Sequence, residues 1–348
     1  MKQFSLITTT IIATAASSFA GETVSQVAKE SSCATHCPCG THARPDYHAP
    51  IGVMADHVHN KGTLMASYRY MYMSMQRSYD GSSQISDSEV LENYMMTPTD
   101  MDMQMHMIGL MYSLTDSFTL GLMANYKDSE MNMTMRGMMG MPATTSSSSV
   151  SGVGDTTISA LYQAYAEKNA RLVLGLGLSM PTGSIDETLD NGLHVPYTMQ
   201  LGSGTWDIKP TATWVQLYDK WSYGAQLTAT IRTGSNDNGY DLGNRAEGSL
   251  WAAYLVNEKT SISTRLIASS WGNVNGESQD MAPPSMTPAT DTHLRGGQRL
   301  DLALGVNYML PINRARLALE IGGPVYQDLD GPQLGSEWFT TLGIKKSW

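Results

Sequence analysis

From Gly62 to Trp348 the chain changes character at every second residue, a period that only extended backbone turns into two distinct faces. The sharpest case is "TDMDMQMHM" (99–107), where Met101, Met103, Met105 and Met107 alternate with polar residues and Met111 keeps the same parity. A helix would scatter these thioethers around its axis, whereas a strand sets them on one side. Twelve such segments recur, centred near 62–76, 101–114, 118–135, 153–166, 170–180, 204–217, 221–233, 245–256, 260–272, 298–309, 314–326 and 337–348. Tight connections such as "TDS" (115–117), "EKN" (167–169), "DK" (219–220), "NEK" (257–259) and "PIN" (311–313) alternate with long polar loops at 77–100, 136–152, 181–203, 234–244, 273–297 and 327–336. Short turns at one end and long loops at the other predict an all-β fold, a transmembrane antiparallel up-and-down β-barrel of about twelve strands.

Composition and the two ends agree with that fold. Charged residues make up only 16% of the chain, and Tyr (17) and Trp (7) outnumber Phe (4). Tyr and Trp have an apolar body and a polar tip, which suits a membrane–water boundary. No segment approaches the roughly 18 continuous apolar residues of a spanning helix. Residues 1–20 read as a secretory signal, with Lys2, the apolar "FSLITTTIIATAA" and "SFA" before Gly21. From Gly21 onward 21 Lys+Arg face 32 Asp+Glu, an acidic balance that argues against nucleic acid as a partner. The closing "EWFTTLGIKKSW" sets Trp338, Thr340, Leu342, Ile344 and Trp348 on one face and resembles the signal read by the outer-membrane assembly machinery. The expected organisation is a signal at 1–20, a Cys/His-containing periplasmic tail or plug at 21–61, the tail being favoured, and a barrel at 62–348. The expected location is the outer membrane of a Gram-negative bacterium, with the lipid bilayer as a partner.

Alternation also assigns faces. In "WSYGAQLTATIRTG" Trp221, Tyr223, Leu227 and Ile231 share one side, and Gln226, Thr228 and Arg232 the other. Leu300, Leu302, Leu304, Val306 and Tyr308 likewise oppose Arg299, Asp301 and Asn307. Lipid penalises a midplane Arg or Lys by roughly 2–4 kcal/mol, so the charged side faces the lumen. Three consecutive strands then line one wall with thioethers: Met65, Arg69, Met71, Met73 and Met75; then Met101, Met103, Met105, Met107 and Met111; then Met123, Met131, Met133 and Met135. Nineteen of the 25 methionines lie between Met54 and Met141, so the enrichment is regional.

The run "PDYHAPIGVMADHVHNKGTLMASYRYMYMSM", continuing into "TPTDMDMQMHMIGLMYSLTDSFTL", resembles a group of bacterial outer-membrane "transporter" barrels. "GVGDTTISALYQ" (152–163) and "LGLSMPTGS" (176–184) are similar to motifs of the phenol-degradation-pathway (MetA-pathway) barrel family, itself distantly like long-chain fatty-acid transporters. The likeness runs from about Pro45 to Trp348. It implies a barrel and a transport role and hands over no assigned site.

Two functional readings stay open. Met makes an adaptable apolar surface, so a thioether-lined lumen suits passage of a small hydrophobic solute. Alternatively the same sulfurs handle a soft ion, Cu(I) or Ag(I). Methionines at i and i+2 stand about 6.5–7 Å apart, a spacing of weak sites that favours passage over trapping. Cys33, His36, Cys37 and Cys39 in "CATHCPCG", together with His57 and His59, are the other candidate ligands for that ion. Their bland counterpart is a periplasmic disulfide with one odd thiol and a solvated histidine pair. No cofactor is required. No G-x-S-x-G, H-E-x-x-H or P-loop pattern is present, so an outer-membrane hydrolase is disfavoured and no enzyme is expected; a surface sensor using the long loops is the remaining class.

Overall fold

The structure is a computed structural model that describes residues 44–137, 142–167, 169–311 and 315–348. The leader and the candidate ligands Cys33, His36, Cys37 and Cys39 lie outside the described residues. In chain order the strands are β1 (Leu64–Gly81), β2 (Ser83–Ile85), β3 (Met96–Thr115), β4 (Phe118–Met135) and β5 (Thr144–Val153). There follow β6 (Thr156–Ala166), β7 (Ala170–Met180), β8 (Asp207–Leu217), β9 (Trp221–Arg232) and β10 (Tyr240–Asp241). The last are β11 (Arg245–Asn257), β12 (Thr260–Trp271), β13 (Asn275–Gly276), β14 (Gly297–Met309) and β15 (Ala315–Ser347). One short α-helix, Asp87–Asn93, starts with a capping box between Ser86 and Glu89.

Eleven of these strands close a ring in the order β15-β14-β12-β11-β9-β8-β7-β6-β4-β3-β1, with β15 pairing back onto β1. Every adjacent pair is antiparallel. The long β15 serves as two staves. Residues 316–329 pair with β14 and residues 329–347 with β1, both antiparallel. With ten alternating strands from β14 round to β1 inclusive, both pairings are antiparallel only if β15 turns back on itself. Asp330, Gly331 and Pro332 lie at the reversal, and Ser336 N donates to Gln327 Oε1 across it. The wall is therefore crossed twelve times, as the alternation predicts. β5 and β2 extend the hairpins of β4 and β1, and β10 pairs β13 among the loops.

The outer surface carries the lipid-compatible side chains. Ile108, Leu110, Tyr112 and Leu114 on β3, Trp221, Tyr223, Leu227 and Ile231 on β9, and Leu302, Leu304 and Tyr308 on β14 are exposed. Asp301 and Asn307, of opposite parity, are buried inside. β1, β3 and β4 are 18, 20 and 18 residues long, against the roughly 9–11 a tilted strand needs to cross a bilayer. Their surplus explains why Asp102, Gln104 and His106 can share the outward face of β3 with Ile108 and Leu110. Near the loop end these polar groups bond outward neighbours: Tyr68 Oη lies 2.7 Å from His106 Nδ1 and Tyr70 Oη donates to Gln104 Oε1 at 2.9 Å.

The ring is filled from both ends. From the turn end, residues 44–61 run up into the lumen and back. Arg44 donates to the carbonyls of Tyr218 and Asp219 at one turn, and Lys61 N returns to Asp116 at another. Between these points the segment bonds to the inner wall, with Arg171 donating to the Tyr47 and Asp56 carbonyls, Gln226 to Met54 and Arg316 to Ala49. Its apolar side chains dock as well. Ala49 and Val53 cluster with Val215 and Trp251, and Val58 with Leu161 and Val173. A segment without period-2 or helical patterning is thus held by wall groups that alternation had already turned inward. From the loop end, the connection between β7 and β8 folds back over the mouth and places Val195, Met199 and Leu201 against the inner wall.

Candidate functional site

Register, not sequence spacing alone, assembles the methionine wall. β1, β3 and β4 pair without a break through this region, so their inward residues align in rows. Met75, Met101 and Met131 form one row, and Met73, Met103 and Ser129 the next. Below them come Met71, Met105 and Lys127, then Arg69, Met107 and Asn125. Neighbouring strands stand about 4.8 Å apart, so adjacent thioethers in a row are closer than i, i+2 partners on one strand. Met101, Met107, Met131 and Met133 are buried, as is Arg69, whereas Met71, Met73, Met75, Met103, Met105, Met111 and Met123 are half-buried. Met135, at the tip of β4, is 41% exposed and stands outside the enclosed wall.

The top of this wall is roofed rather than open. Met101, Met131 and Met133 form one cluster with Val150, Val195, Met199 and Leu201, and Met75, Met96 and Met103 pack against it. Lys127, at the end of a methionine row, donates its ammonium to the carbonyls of Thr198 and Gln200, both at 2.9 Å. Those carbonyls compensate a charge that would otherwise be costly to bury. Asp155 fastens the other edge of the roof: its carboxylate accepts from Gly183 N at 3.0 Å and from Ser203 N and Oγ at 2.8 Å.

The second centre lies where residues 44–61 meet the wall. Ala55 takes a left-handed backbone, φ 57°, an uncommon state for a residue with a Cβ. The flanking carbonyls of Met54 and Ala55 are held there by Gln226 and Thr213. The next two residues, Asp56 and His57, are buried, with His57 Nδ1 2.9 Å from Asp56 Oδ1. His48 joins from the other limb, its ring 4.7 Å from that of His57. Burial, with Arg316 nearby, pushes the His48 imidazole well below its ordinary value, and burial lowers His57 too, against the opposing pull of Asp56. Burial alone would raise Asp56, but the neighbouring His57 and Lys345, whose Nζ is 3.9 Å away, outweigh it and hold the carboxyl well below its ordinary value. His59 is separated from this set, its Nε2 3.2 Å from Met65 Sδ. The rings of the expected pair His57 and His59 are 4.6 Å apart, and His59 turns its Nε2 toward Met65.

Residues 106–297, more than half of the chain, match the model of a family described as "Putative MetA-pathway of phenol degradation". The chain belongs to this family. No curated protein matches in sequence. Among solved structures, an outer membrane channel of Pseudomonas putida F1, termed COG4313, is similar with a TM-score of 0.58 at 17% identity, over 84% of this chain and 98% of that one. A Pseudomonas aeruginosa FadL homologue (TM-score 0.38, 11% identity, 83% and 90% covered) and the P. putida toluene transporter TodX (0.40, 8%, 82% and 89%) are too loosely similar to bear on function. In fold the chain is an outer-membrane-channel-like barrel.

The family motifs acquire physical roles here. Asp155 of "GVGDTTISALYQ" receives Gly183 of "LGLSMPTGS", so the two motifs meet as the fastening of the roof. Gly52, in the "GVM" that precedes Asp56 and His57, has no room for a side chain, because a Cβ would meet the Arg265–Glu320 pair. That pair is fully inside, with Arg265 Nη2 2.5 Å from Glu320 Oε1. Sequence reading missed His48, Arg171, Arg265, Arg316, Glu320 and Lys345, and gave Asp56 little weight. The parity rule could have found the strand residues, since Arg316 and Glu320 share the inward face of their stave, as Thr341, Gly343 and Lys345 do theirs.

Proposed function

We propose that this barrel is a channel of the Gram-negative outer membrane that passes small hydrophobic molecules through the roofed methionine wall. The observation that carries this reading is the register: rows of thioethers from three strands face the lumen, half-buried beneath an apolar roof. Such a surface adapts to solutes of differing shape and offers few hydrogen bonds to trap them. The short turns face the periplasm and the long loops the exterior. The lipid bilayer and the outer-membrane assembly machinery are its partners. Uptake of toluene into proteoliposomes tests the reading. Changing Met101, Met103, Met105 and Met107 together to Leu should leave uptake within about twofold, since Leu keeps bulk and polarity. Changing them to Gln should reduce uptake at least tenfold; equal uptake by the Gln variant rejects the proposal.

The row Met75–Met101–Met131 favours one second reading, capture of Cu(I) or Ag(I) by three neighbouring sulfurs. Ag(I) titration of the same purified Leu variant separates the two, because only this reading loses binding when sulfur is removed.

A further inference from the structure

The two limbs of the lumen segment converge on a set of donors that the solute pathway does not use. His48, Asp56 and His57 each offer a ligand atom, and these atoms all lie within 4.8 Å of one another. His57 and Asp56 are 2% exposed. Among the described residues, His57 Nε2 and His48 Nδ1 have no hydrogen-bond partner. His57 Nδ1 stands 2.9 Å from Asp56 Oδ1, so the carboxylate and both rings converge on one point. Buried nitrogens left this way are costly unless something occupies the point on which they converge.

We propose that His48, Asp56 and His57 form a site for one borderline divalent cation, Zn(II) or Cu(II), which ties the two limbs of the lumen segment together. Two imidazoles and one carboxylate match the donor preference of these ions and leave a position for water. Ligand atoms about 2.0–2.2 Å from a tetrahedral ion stand roughly 3.3–3.6 Å apart, so closure from the present spacing needs shifts on the order of an ångström. The neighbours set the selectivity. Lys345 lies 3.9 Å from Asp56 Oδ1, and the buried Arg69, Arg171 and Arg316 line the same half of the lumen. A hard cation would need several oxygen ligands and finds one carboxylate beside three arginines, so Ca(II) and Mg(II) are rejected. An ion bound through strong imidazole bonds can displace Lys345 from Asp56. Ala55 supports the assignment, because its left-handed backbone is the turn that brings Asp56 and His57 back toward His48. The site is independent of the hydrophobic-solute reading, and its test reads metal rather than flux.

The experiment uses the tag-free full chain with Cys33, Cys37 and Cys39 changed to Ser, folded in detergent and stripped with chelator, so that the thiols cannot bind the ion. Titration with Cu(II), followed by calorimetry and electron paramagnetic resonance, should give one ion per barrel with splitting from two imidazole nitrogens. Zn(II) should compete, and Ca(II) should not. His48→Ala and His57→Ala should each weaken binding at least 100-fold and abolish the two-nitrogen signature, while His59→Ala should leave both unchanged. Heat-modifiable migration on gels verifies that each variant is a closed barrel. Where an alanine variant does not close, Asp56→Asn keeps the shape and should weaken binding at least tenfold. Absence of a stoichiometric site, or a site unchanged by His48→Ala, His57→Ala or Asp56→Asn, overturns the proposal.

Discussion

At the scale of single residues, the inner wall shows how a barrel buries charge without lipid ever meeting it. Arg265 and Glu320 lie side by side in the lumen, and Ser249 Oγ accepts from Arg265 Nη1 at 3.2 Å. Removing one partner strands the other, so Glu320→Ala should destabilise the folded barrel by about 3–5 kcal/mol, as urea unfolding in detergent would measure. Replacing Arg265 and Glu320 together by apolar residues should cost far less, because neither charge is then left alone. Gly52→Ala should act through the same pair by forcing the lumen segment away from it, read as faster proteolysis of residues 44–61. None of these partners was legible from spacing. Parity states that Glu320 points inward, but which of the inward charges it meets depends on the ring's closure.

At the scale of elements, alternation was a sufficient guide to strands and an insufficient one to what lies between them. The turns at 115–117 and 257–259 and the strands they join follow from period 2 alone. The segment 44–61 has no period to read, since its shape is imposed by wall donors such as Arg171, Gln226 and Arg316 on three different strands. Deleting residues 44–57 should therefore leave the strands intact and raise single-channel conductance in planar bilayers several-fold. The loops at the opposite mouth have their own core, Tyr197, Tyr240, Val274 and Met281, with the two tyrosine rings 4.7 Å apart. Burial, opposed by Asn236, pushes the Tyr240 hydroxyl up to about 12. A raised folded-state value means that its contribution is complete below about pH 10, the unfolded value, and is lost as pH climbs through 12. The roof should accordingly loosen between pH 10 and 12, and Tyr240→Phe should remove that alkaline step from hydrogen exchange of the loops.

At the scale of the whole molecule, the outer surface is the part that the sequence made plainest, because lipid imposes one requirement on every stave. Leu304 is 61% exposed at the middle of β14, and Leu304→Arg should cost about 2–4 kcal/mol in vesicle refolding with urea titration. The interior was less legible because three materials share it: thioethers under a roof, ion pairs, and a returning length of chain. The wall's first stave follows that returning length after only Gly62 and Thr63, and its partner at the seam is the last stretch of the polypeptide, with Met65 opposite Ser347. The lumen segment also touches β7, β9 and the last stave, so it bridges the wall from inside. The seam is therefore braced twice, by its own ladder and by the chain it encloses, and its pairing is the contact most distant along the sequence.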